Sequence, residues 1–177
     1  SNRIEWLKSR WLKFTGTAAA VAGSLLGRRV PLGGFEAERF GDWVWRALFA
    51  KSLPEADREV VLGARYRVLR WPWSILHGLG VFSAPLGRAQ YARLDTRGID
   101  VFIAETPWPA RVSRGTELIV RYHDAVPLLM PHTIKDRGYH RAAHFHALVR
   151  NARDGAWFAC VSEATRQDLL SVLPEVA

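Results

Sequence analysis

Three short apolar runs in the second half of the sequence each stop abruptly at polar residues. They occupy 99–104, 117–122 and 156–161, and their β-branched and aromatic residues favour β-strands. Helical periodicity over about 138–153 and 163–172 places helices on either side of the last run. Strands that alternate with helices form parallel sheets, so we predict an α/β fold in which the three strands are parallel neighbours. Their polar exits would then share one edge, where ligands bind in open parallel sheets.

The first half of the sequence has weaker periodicity, and its elements are predicted from local patterns and from glycine and proline. In order, we predict a helix within 6–26, a loop at 28–34, a helix over 35–53, a strand formed by the apolar run 60–62 within 59–69, a short helix at 74–80 and an irregular segment at 81–98.

The first of these helices carries Trp6 and Trp11 among basic residues and continues into an alanine-rich stretch. That stretch is far shorter than the roughly 20 apolar residues that a transmembrane helix needs. We therefore predict that this helix does not span a membrane. The favoured interpretation packs it on the sheet, and the alternative places it at a membrane interface, with tryptophan and arginine at the level of the headgroups.

Composition limits the size and the partners of the chain. At 177 residues and 49% hydrophobic composition, it can bury one core, and we predict a single domain over 1–177. A net charge of +8 favours anionic partners such as nucleotides, phosphorylated lipids, an anionic membrane face or nucleic acid. Only four of the 25 basic residues are lysines, and the planar fork of arginine suits phosphate. The lone cysteine, Cys160, excludes an intramolecular disulfide and fits a reducing compartment.

His123 and Asp124 follow the second of the three predicted strands directly. An imidazole at a strand end can donate to a phosphate or a sugar hydroxyl, and a neighbouring carboxylate can orient it or bind a hydroxyl itself. Adjacent residues of an extended segment point in opposite directions, so a direct relay between the two is not assured. The alternative is that His123 is a buried histidine whose hydrogen bonds are satisfied within the core.

Ser162 and Glu163 follow the last predicted strand and open the last predicted helix. Serine is a favoured N-cap, and an acidic residue is favourable in the first helical turn. A helix N-terminus at the edge of a parallel sheet can also bind an anion. The pattern therefore predicts either a purely structural cap or a cap that also contacts a ligand.

Histidines are dense in the predicted loop and helix after 123. His140 and His144 lie four residues apart on the predicted helix, so both could face one metal ion, with His132 or His146 completing the site. Arg141 stands where a zincin motif has its glutamate, and the angular position of His146 makes joint ligation awkward. We favour a polar helix face over a metal site, and predict no bound metal.

Four segments, taken together, resemble the N-terminal domain of family 4 glycosyltransferases. They are Ile-Asp-Val-Phe-Ile-Ala-Glu at 99–105, Tyr-His-Asp-Ala-Val-Pro at 122–127, Pro-His at 131–132 and Val-Ser-Glu-Ala-Thr-Arg-Gln-Asp-Leu-Leu at 161–170. The resemblance covers about 99–177 well and the first half of the chain only loosely. It implies a Rossmann-like, doubly wound parallel sheet with flanking helices, which is the N-terminal half of a two-domain enzyme.

The resemblance implies a retaining glycosyltransferase that moves a sugar from a nucleotide sugar to a saccharide or lipid-linked acceptor. Such transfers build surface polysaccharides or glycolipids, and mannose is one donor sugar that the resemblance allows. This chain would supply the acceptor-side domain. The nucleotide-sugar-binding domain, with its paired-glutamate motif, is absent from this sequence, so we expect the isolated chain to be inactive. No cofactor and no metal are implied, and the expected location is the cytoplasm, including the inner face of the membrane.

The resemblance also implies roles for individual residues. His123 matches the histidine that lies beside the transferred sugar, with Asp124 as its neighbour, and these two are the candidate catalytic residues. The candidate acceptor- or phosphate-binding residues are Glu105, His132, Ser162, Glu163, Thr165 and Arg166.

Two other classes of protein compete with the transferase. A basic module that binds nucleic acid or an anionic surface would show affinity that falls steeply with salt and no dependence on sugars. A histidine-rich metallohydrolase would retain zinc on purification. The strand exits favour the transferase independently of charge, so the expected partners are a nucleotide sugar and a saccharide or lipid-linked acceptor. Peripheral membrane contact is compatible with this function, and nucleic acid is not an expected partner.

Overall fold

The structure, a computed structural model, describes residues 23, 27–69 and 71–174. The helix predicted within 6–26 lies outside the described residues, apart from residue 23. The described residues form two compact units, one of 23, 27–30 and 71–174 and the other of 31–69.

The described residues contain both strands and helices. The strands are β1 (Arg29–Val30), β2 (Gly33–Phe35), β3 (Tyr66–Val68), β4 (Arg93–Leu94), β5 (Val101–Ala104), β6 (Glu117–Tyr122) and β7 (Trp157–Cys160). The α-helices are α1 (Gly41–Val44), α2 (Arg58–Gly63), α3 (Trp73–Ser83), α4 (Val126–Leu129), α5 (Arg137–Arg153) and α6 (Glu163–Val172).

The main sheet of the larger unit is parallel, with strand order β5–β6–β7. Val101 pairs with Glu117, and Ile119 pairs with both Ile103 and Trp157. The prediction that these three segments are parallel neighbours is therefore confirmed, and the chain leaves all three strands at the same edge. The larger unit also contains the parallel pair β1–β4, and the smaller unit contains the antiparallel pair β2–β3.

Alternation along β6 decides which face of the sheet is buried. Leu118, Val120 and Tyr122 point into the core, whereas Glu117 and Arg121, at alternate positions, are exposed. The helices α5 and α6 cover the buried face. Their contribution to the core is a cluster around Tyr122 that contains Leu148, Leu169 and Leu173.

The opposite face of the same sheet is apolar and exposed. Ile103 and Trp157, which flank the partly buried Ile119 in one cross-strand row, are 62% and 67% exposed. In the part of the chain that the structure describes, α5 and α6 pack on one face of this sheet. The structure thus confirms an α/β fold with a parallel sheet and helices, and it leaves the doubly wound arrangement a prediction.

The connection between β5 and β6, at 105–116, contains no helix. It bends along the end of the sheet, where Arg111 forms a bridge with Arg93. Asn151 of α5 holds the connection in place, because its Oδ1 accepts from the Trp108 N–H at 2.7 Å and its Nδ2 donates to the Trp108 carbonyl at 3.0 Å. A connection of twelve residues without a helix is therefore long enough to bring the chain from the end of β5 back to the start of the parallel strand β6.

The second half of the chain follows its predicted pattern closely. The strand at 117–122 and the helix at 163–172 are confirmed, and the other predicted strands and helices there differ from the structure by one or two residues at their ends. The short helix at 74–80 is confirmed and is longer, at Trp73–Ser83.

Two predictions for the first half were wrong. The strand predicted within 59–69 begins as α2, and only Tyr66–Val68 is extended. The apolar run there includes Val60, which is 78% exposed, so strand propensity had no buried surface to reinforce it. The helix predicted over 35–53 is divided, because Phe35 pairs in β2 and the rest forms a 3₁₀ turn, α1 and a π-helical turn at Trp45–Phe49. The side chain of Trp45 anchors that turn by donating to Glu55 at 2.7 Å.

The segments predicted as loop or irregular contain short elements. Two strands, β1 and β2, lie within or overlap 28–34, and 81–98 holds the end of α3 and all of β4. The loop after β6 contains the single-turn helix α4. Elements of two to four residues are too short to show a period, and backbone pairing with distant segments creates them.

Gly80 in α3 lets the side chain of Tyr91 pack directly against the helix backbone. A Cβ at this position would overlap the ring and hydroxyl of Tyr91, whose side chain is buried. We expect Gly80→Ala to lower the free energy of unfolding by at least about 2 kcal/mol, because overpacking outweighs the gain in helix propensity. Urea denaturation measures it.

Gly78→Ala in the same helix is the matched control. A Cβ there would lie 3.4 Å from Phe82, which is ordinary contact with an exposed ring. This variant should be as stable as the wild type or more stable by up to about 1 kcal/mol. Equal stability of the two variants would contradict the close packing of Tyr91 on Gly80.

Candidate functional site

The polar exits of the three parallel strands meet at the carboxyl edge of the sheet. Glu105 follows β5 and His123 follows β6, and His123 Nε2 lies 3.5 Å from Glu105 Oε2. Both side chains are exposed. Adjacent parallel strands bring the two together even though they are 18 positions apart in the sequence, as the strand pattern predicts.

Glu105 also binds Arg121, whose Nη1 lies 3.2 Å from the same carboxylate oxygen. Arg121 projects from the exposed face of β6 and was not among the predicted site residues. Glu105 is therefore shared between a guanidinium and an imidazole, and it can pair with the imidazole when that ring is protonated. The edge presents a carboxylate flanked by two nitrogen donors to solvent.

Asp124 forms no hydrogen bond with the His123 imidazole in the described structure. Its Oδ1 accepts from the N–H of Val126 at 2.9 Å, an Asx-type turn that starts α4. The residue is exposed, and its other oxygen is available to a ligand. The structure gives His123 and Asp124 different partners, so Asp124 shapes the loop while Glu105 takes the position of carboxylate neighbour to the imidazole.

Ser162 caps α6, as the sequence predicts. Its Oγ accepts from the Thr165 N–H at 3.1 Å, and the two hydroxyl groups lie 3.0 Å apart. Thr165 is buried, and its hydroxyl donates to the backbone carbonyl of His123 at 3.2 Å. Thr165 is thus a positioning residue that ties the start of α6 to the exit of β6.

Glu163 and Arg166 form an exposed pair in the first turn of α6, with Arg166 Nη1 3.2 Å from Glu163 Oε1. Each can exchange its partner for a charged ligand because water surrounds both side chains. His132 lies in the 3₁₀ turn Pro131–Thr133 and is exposed. Within the described residues it has no hydrogen bond or ion pair with the other predicted site residues, so the structure does not bring it into the cluster.

A cavity of about 280 Å³ lies beside this edge, and no sequence pattern predicts it. It begins at Thr106, the residue after Glu105. Three imidazoles share it, from one residue of α3 and two of α5. The lining residues include Trp73, His77, Thr106, Tyr139, His140 and His144.

Two of these imidazoles are held neutral. Burial, with a smaller contribution from His140, lowers the pKa of His77 and of His144 to about 4. The Nδ1 of His77 and the Nε2 of His144 are buried without a hydrogen-bond partner in the described structure. Buried polar atoms usually have a partner, and the described structure supplies none for these two nitrogens.

The pair His140 and His144 does face a common space, as the helical spacing indicated, but the third imidazole is His77. No group of three or more metal-ligating side chains among the described residues is arranged to hold a metal ion. His77 lies 63 positions before His140, and no motif connects them. The three histidines come together only because α3 packs on α5.

Cys160 is partly buried in β7, and burial raises the pKa of its thiol. A protonated thiol is a weak nucleophile, so this residue contributes to packing.

Comparison with models of protein families, with curated proteins and with solved structures finds no match to this chain. Among the helices of the described residues, none is both long and apolar enough to cross a membrane.

Proposed function

We propose that this chain is the acceptor-side domain of a retaining glycosyltransferase of the family 4 type, with a Rossmann-like arrangement of its sheet. The observation that carries the proposal is the carboxyl edge of the parallel sheet. There Glu105 and His123 lie 3.5 Å apart and exposed, next to the capped start of α6. Open parallel sheets bind their ligands at this edge.

The neighbouring cavity supports a hydroxyl-rich acceptor. Neutral imidazoles can both donate and accept hydrogen bonds, which suits a sugar hydroxyl better than a fixed charge does. His77 and His144 line this space, together with Trp73. A cavity of about 280 Å³ has room for one sugar ring.

In this proposal the acceptor hydroxyl attacks the anomeric carbon on the face from which the nucleotide departs. His123 contacts the reacting sugar and stabilises charge there through a hydrogen bond. Glu105 orients the imidazole ring, and Thr165 fixes the backbone from which it projects. The departing diphosphate is stabilised by a donor-binding domain outside this chain. No metal or cofactor is required of the residues at this edge.

The test is sugar transfer by the full-length protein with a panel of nucleotide sugars, including GDP-mannose, and with mono- and disaccharide acceptors. We expect release of a nucleoside diphosphate that depends on both donor and acceptor for at least one pair. The 177-residue chain alone should give no turnover. Transfer by this chain alone would contradict the assignment of the donor site to another domain, and no transfer by the full-length protein with any pair would contradict the proposed function.

A further inference from the structure

A row of arginines crosses the larger unit away from the carboxyl edge. Arg29 of β1 is the register partner of Arg93 of β4, and Arg93 forms a bridge with Arg111. Neighbouring strands lie about 4.8 Å apart, so three guanidinium-bearing positions are adjacent. Like charges directly opposite one another destabilise a sheet. The three arginines are therefore adjacent even though repulsion between their charges destabilises the folded chain.

One member of the row is neutralised within the protein. Arg111 binds Asp154 through two contacts of 2.9 and 3.3 Å. Arg150 binds the same carboxylate at 2.9 and 2.6 Å. Asp154 therefore accepts two guanidinium forks and has little capacity to neutralise another arginine.

The remaining arginines have no carboxylate at ion-pair distance, although Asp154 attracts Arg93 and Asp95 attracts Arg29 from farther away. Arg29, Arg93 and Arg114 form no ion pair with a carboxylate in the described part of the chain. Burial and then the charges of Arg111, Arg114 and Arg29 hold the pKa of Arg93 below its usual range. This unbalanced positive charge is a local feature of the row, in addition to the net charge of the chain.

Arg93, Arg111 and Arg114 line one cavity of about 420 Å³. It lies where β6 and β7 begin, at the amino edge of the sheet. Trp157 and the carboxylate of Glu117 also line it. Glu117 and Asp154, which also lines the cavity, oppose anion binding, but Asp154 is already paired with Arg111 and Arg150, and the three lining arginines outnumber the two carboxylates, so the cavity favours an anion.

We propose that this cavity is a phosphate-binding site, formed by Arg93 and Arg114 with Arg29 alongside and Arg111 fixed by Asp154. A guanidinium fork matches two phosphate oxygens, and several forks around one cavity bind a phosphate group strongly. The phosphate belongs either to a phosphorylated small molecule or to a lipid headgroup. The site is at the opposite edge from His123, so it is independent of the proposed transferase chemistry.

The first experiment measures pyrophosphate binding by isothermal titration calorimetry at low ionic strength. The variant is Arg93→Gln, and the control is Arg141→Gln, an exposed arginine of α5 that changes the net charge equally. Arg141 lies about 18 Å along the helix from its carboxyl end near Asp154. We expect Arg93→Gln to weaken binding about tenfold, equivalent to about 1.4 kcal/mol, and the control to bind as the wild type does.

Thermal unfolding separates a ligand site from a structural role. Removing one of several repelling charges should leave the melting temperature of Arg93→Gln unchanged or raise it, and pyrophosphate should stabilise the wild type more than this variant. A structural role for Arg93 predicts a lower melting temperature instead. Wild-type protein that fails to bind pyrophosphate at about 10 mM, or equal binding by the two variants, would overturn the proposal.

Cosedimentation with vesicles distinguishes the two sources of phosphate. The probes are phosphatidylcholine vesicles with and without phosphatidic acid, and the Arg93→Gln/Arg114→Gln variant is compared with wild type. Sedimentation that requires both phosphatidic acid and the two arginines supports a lipid headgroup. Pyrophosphate binding without vesicle binding supports a phosphorylated small molecule. Vesicle binding that is unchanged in the double variant, together with equal pyrophosphate affinity, overturns the site.

Discussion

Replacing His123 with alanine is expected to lower the turnover of the proposed full-length glycosyltransferase about 10²–10³-fold, which corresponds to about 3–4 kcal/mol of lost transition-state stabilisation. The free energy of unfolding should change little. The His123 side chain is 46% exposed, and its imidazole contacts the side chain of Glu105. Removing this exposed ring therefore leaves no cavity in the core. The backbone stays fixed because Thr165 holds the His123 carbonyl.

The same variant tests the alternative that His123 is a satisfied structural residue. In that case truncation would lower stability by about 1–3 kcal/mol and leave turnover per folded molecule nearly normal. Steady-state transfer rates and thermal unfolding should be measured on one preparation. Cys160→Ser, a change within the neighbouring strand β7, is the control. A His123→Ala protein that is destabilised but has normal turnover per folded molecule would contradict the catalytic role of His123.

Acidification is expected to destabilise the larger unit through its buried imidazoles. His77 and His144 have a pKa of about 4 in the folded chain, below the value of about 6.5 for an unfolded histidine. Below pH 6.5 the unfolded chain therefore binds protons that the folded chain excludes. Their contribution to stability is complete above pH 6.5 and is lost as the pH falls from 6.5 to 4.

The expected loss is about 2 kcal/mol for each histidine, after allowance for solvent screening at the cavity mouth. Among the neighbouring charged and titratable groups, His140 lowers both pKa values, His77 lowers that of His144 and Asp124 raises it, and Asp136 and Tyr139 line the same cavity. Urea denaturation of wild type and of His77→Gln/His144→Gln should be compared between pH 7.5 and 4.5. The double variant should lose less stability on acidification, and Ser74→Ala, a neutral change in the cavity wall, should behave as wild type. Identical pH profiles for wild type and double variant would show that the pKa values of these rings do not differ between the folded and the unfolded chain.

The sequence was informative where local pattern and tertiary packing agree. Alternation along 117–122 identified a strand whose Leu118, Val120 and Tyr122 are buried together. Ser162 marked the start of α6 because the cap hydrogen bond is local. The approach of Glu105 to His123 followed from the parallel order of the strands, although the partner of the imidazole is Glu105 and the adjacent Asp124 bonds to the start of α4.

Other features depend on contacts between distant segments. The cavity combines His77 with His140 and His144, and nothing in the spacing of these residues indicates that α3 packs on α5. The arginine row depends on strands of two residues, which have no period to detect. Conversely, a local pattern can mislead: the Val60–Leu62 run has strand propensity but lies in α2, since tertiary context decides β structure more than composition does.

The hydroxyl of Thr165 bears on how variation among related sequences would be interpreted. It donates to the backbone carbonyl of His123 and lies 3.0 Å from the hydroxyl of Ser162, so both of its contacts hold the start of α6 against the exit of β6. Serine can reproduce both interactions, whereas valine, with the same shape, can make neither. Substitutions at this position should therefore follow the presence of a hydroxyl and not side-chain volume. An invariant hydroxyl at position 165 would therefore indicate that the carboxyl edge of the sheet must be rigid. It would not by itself identify a residue that touches substrate.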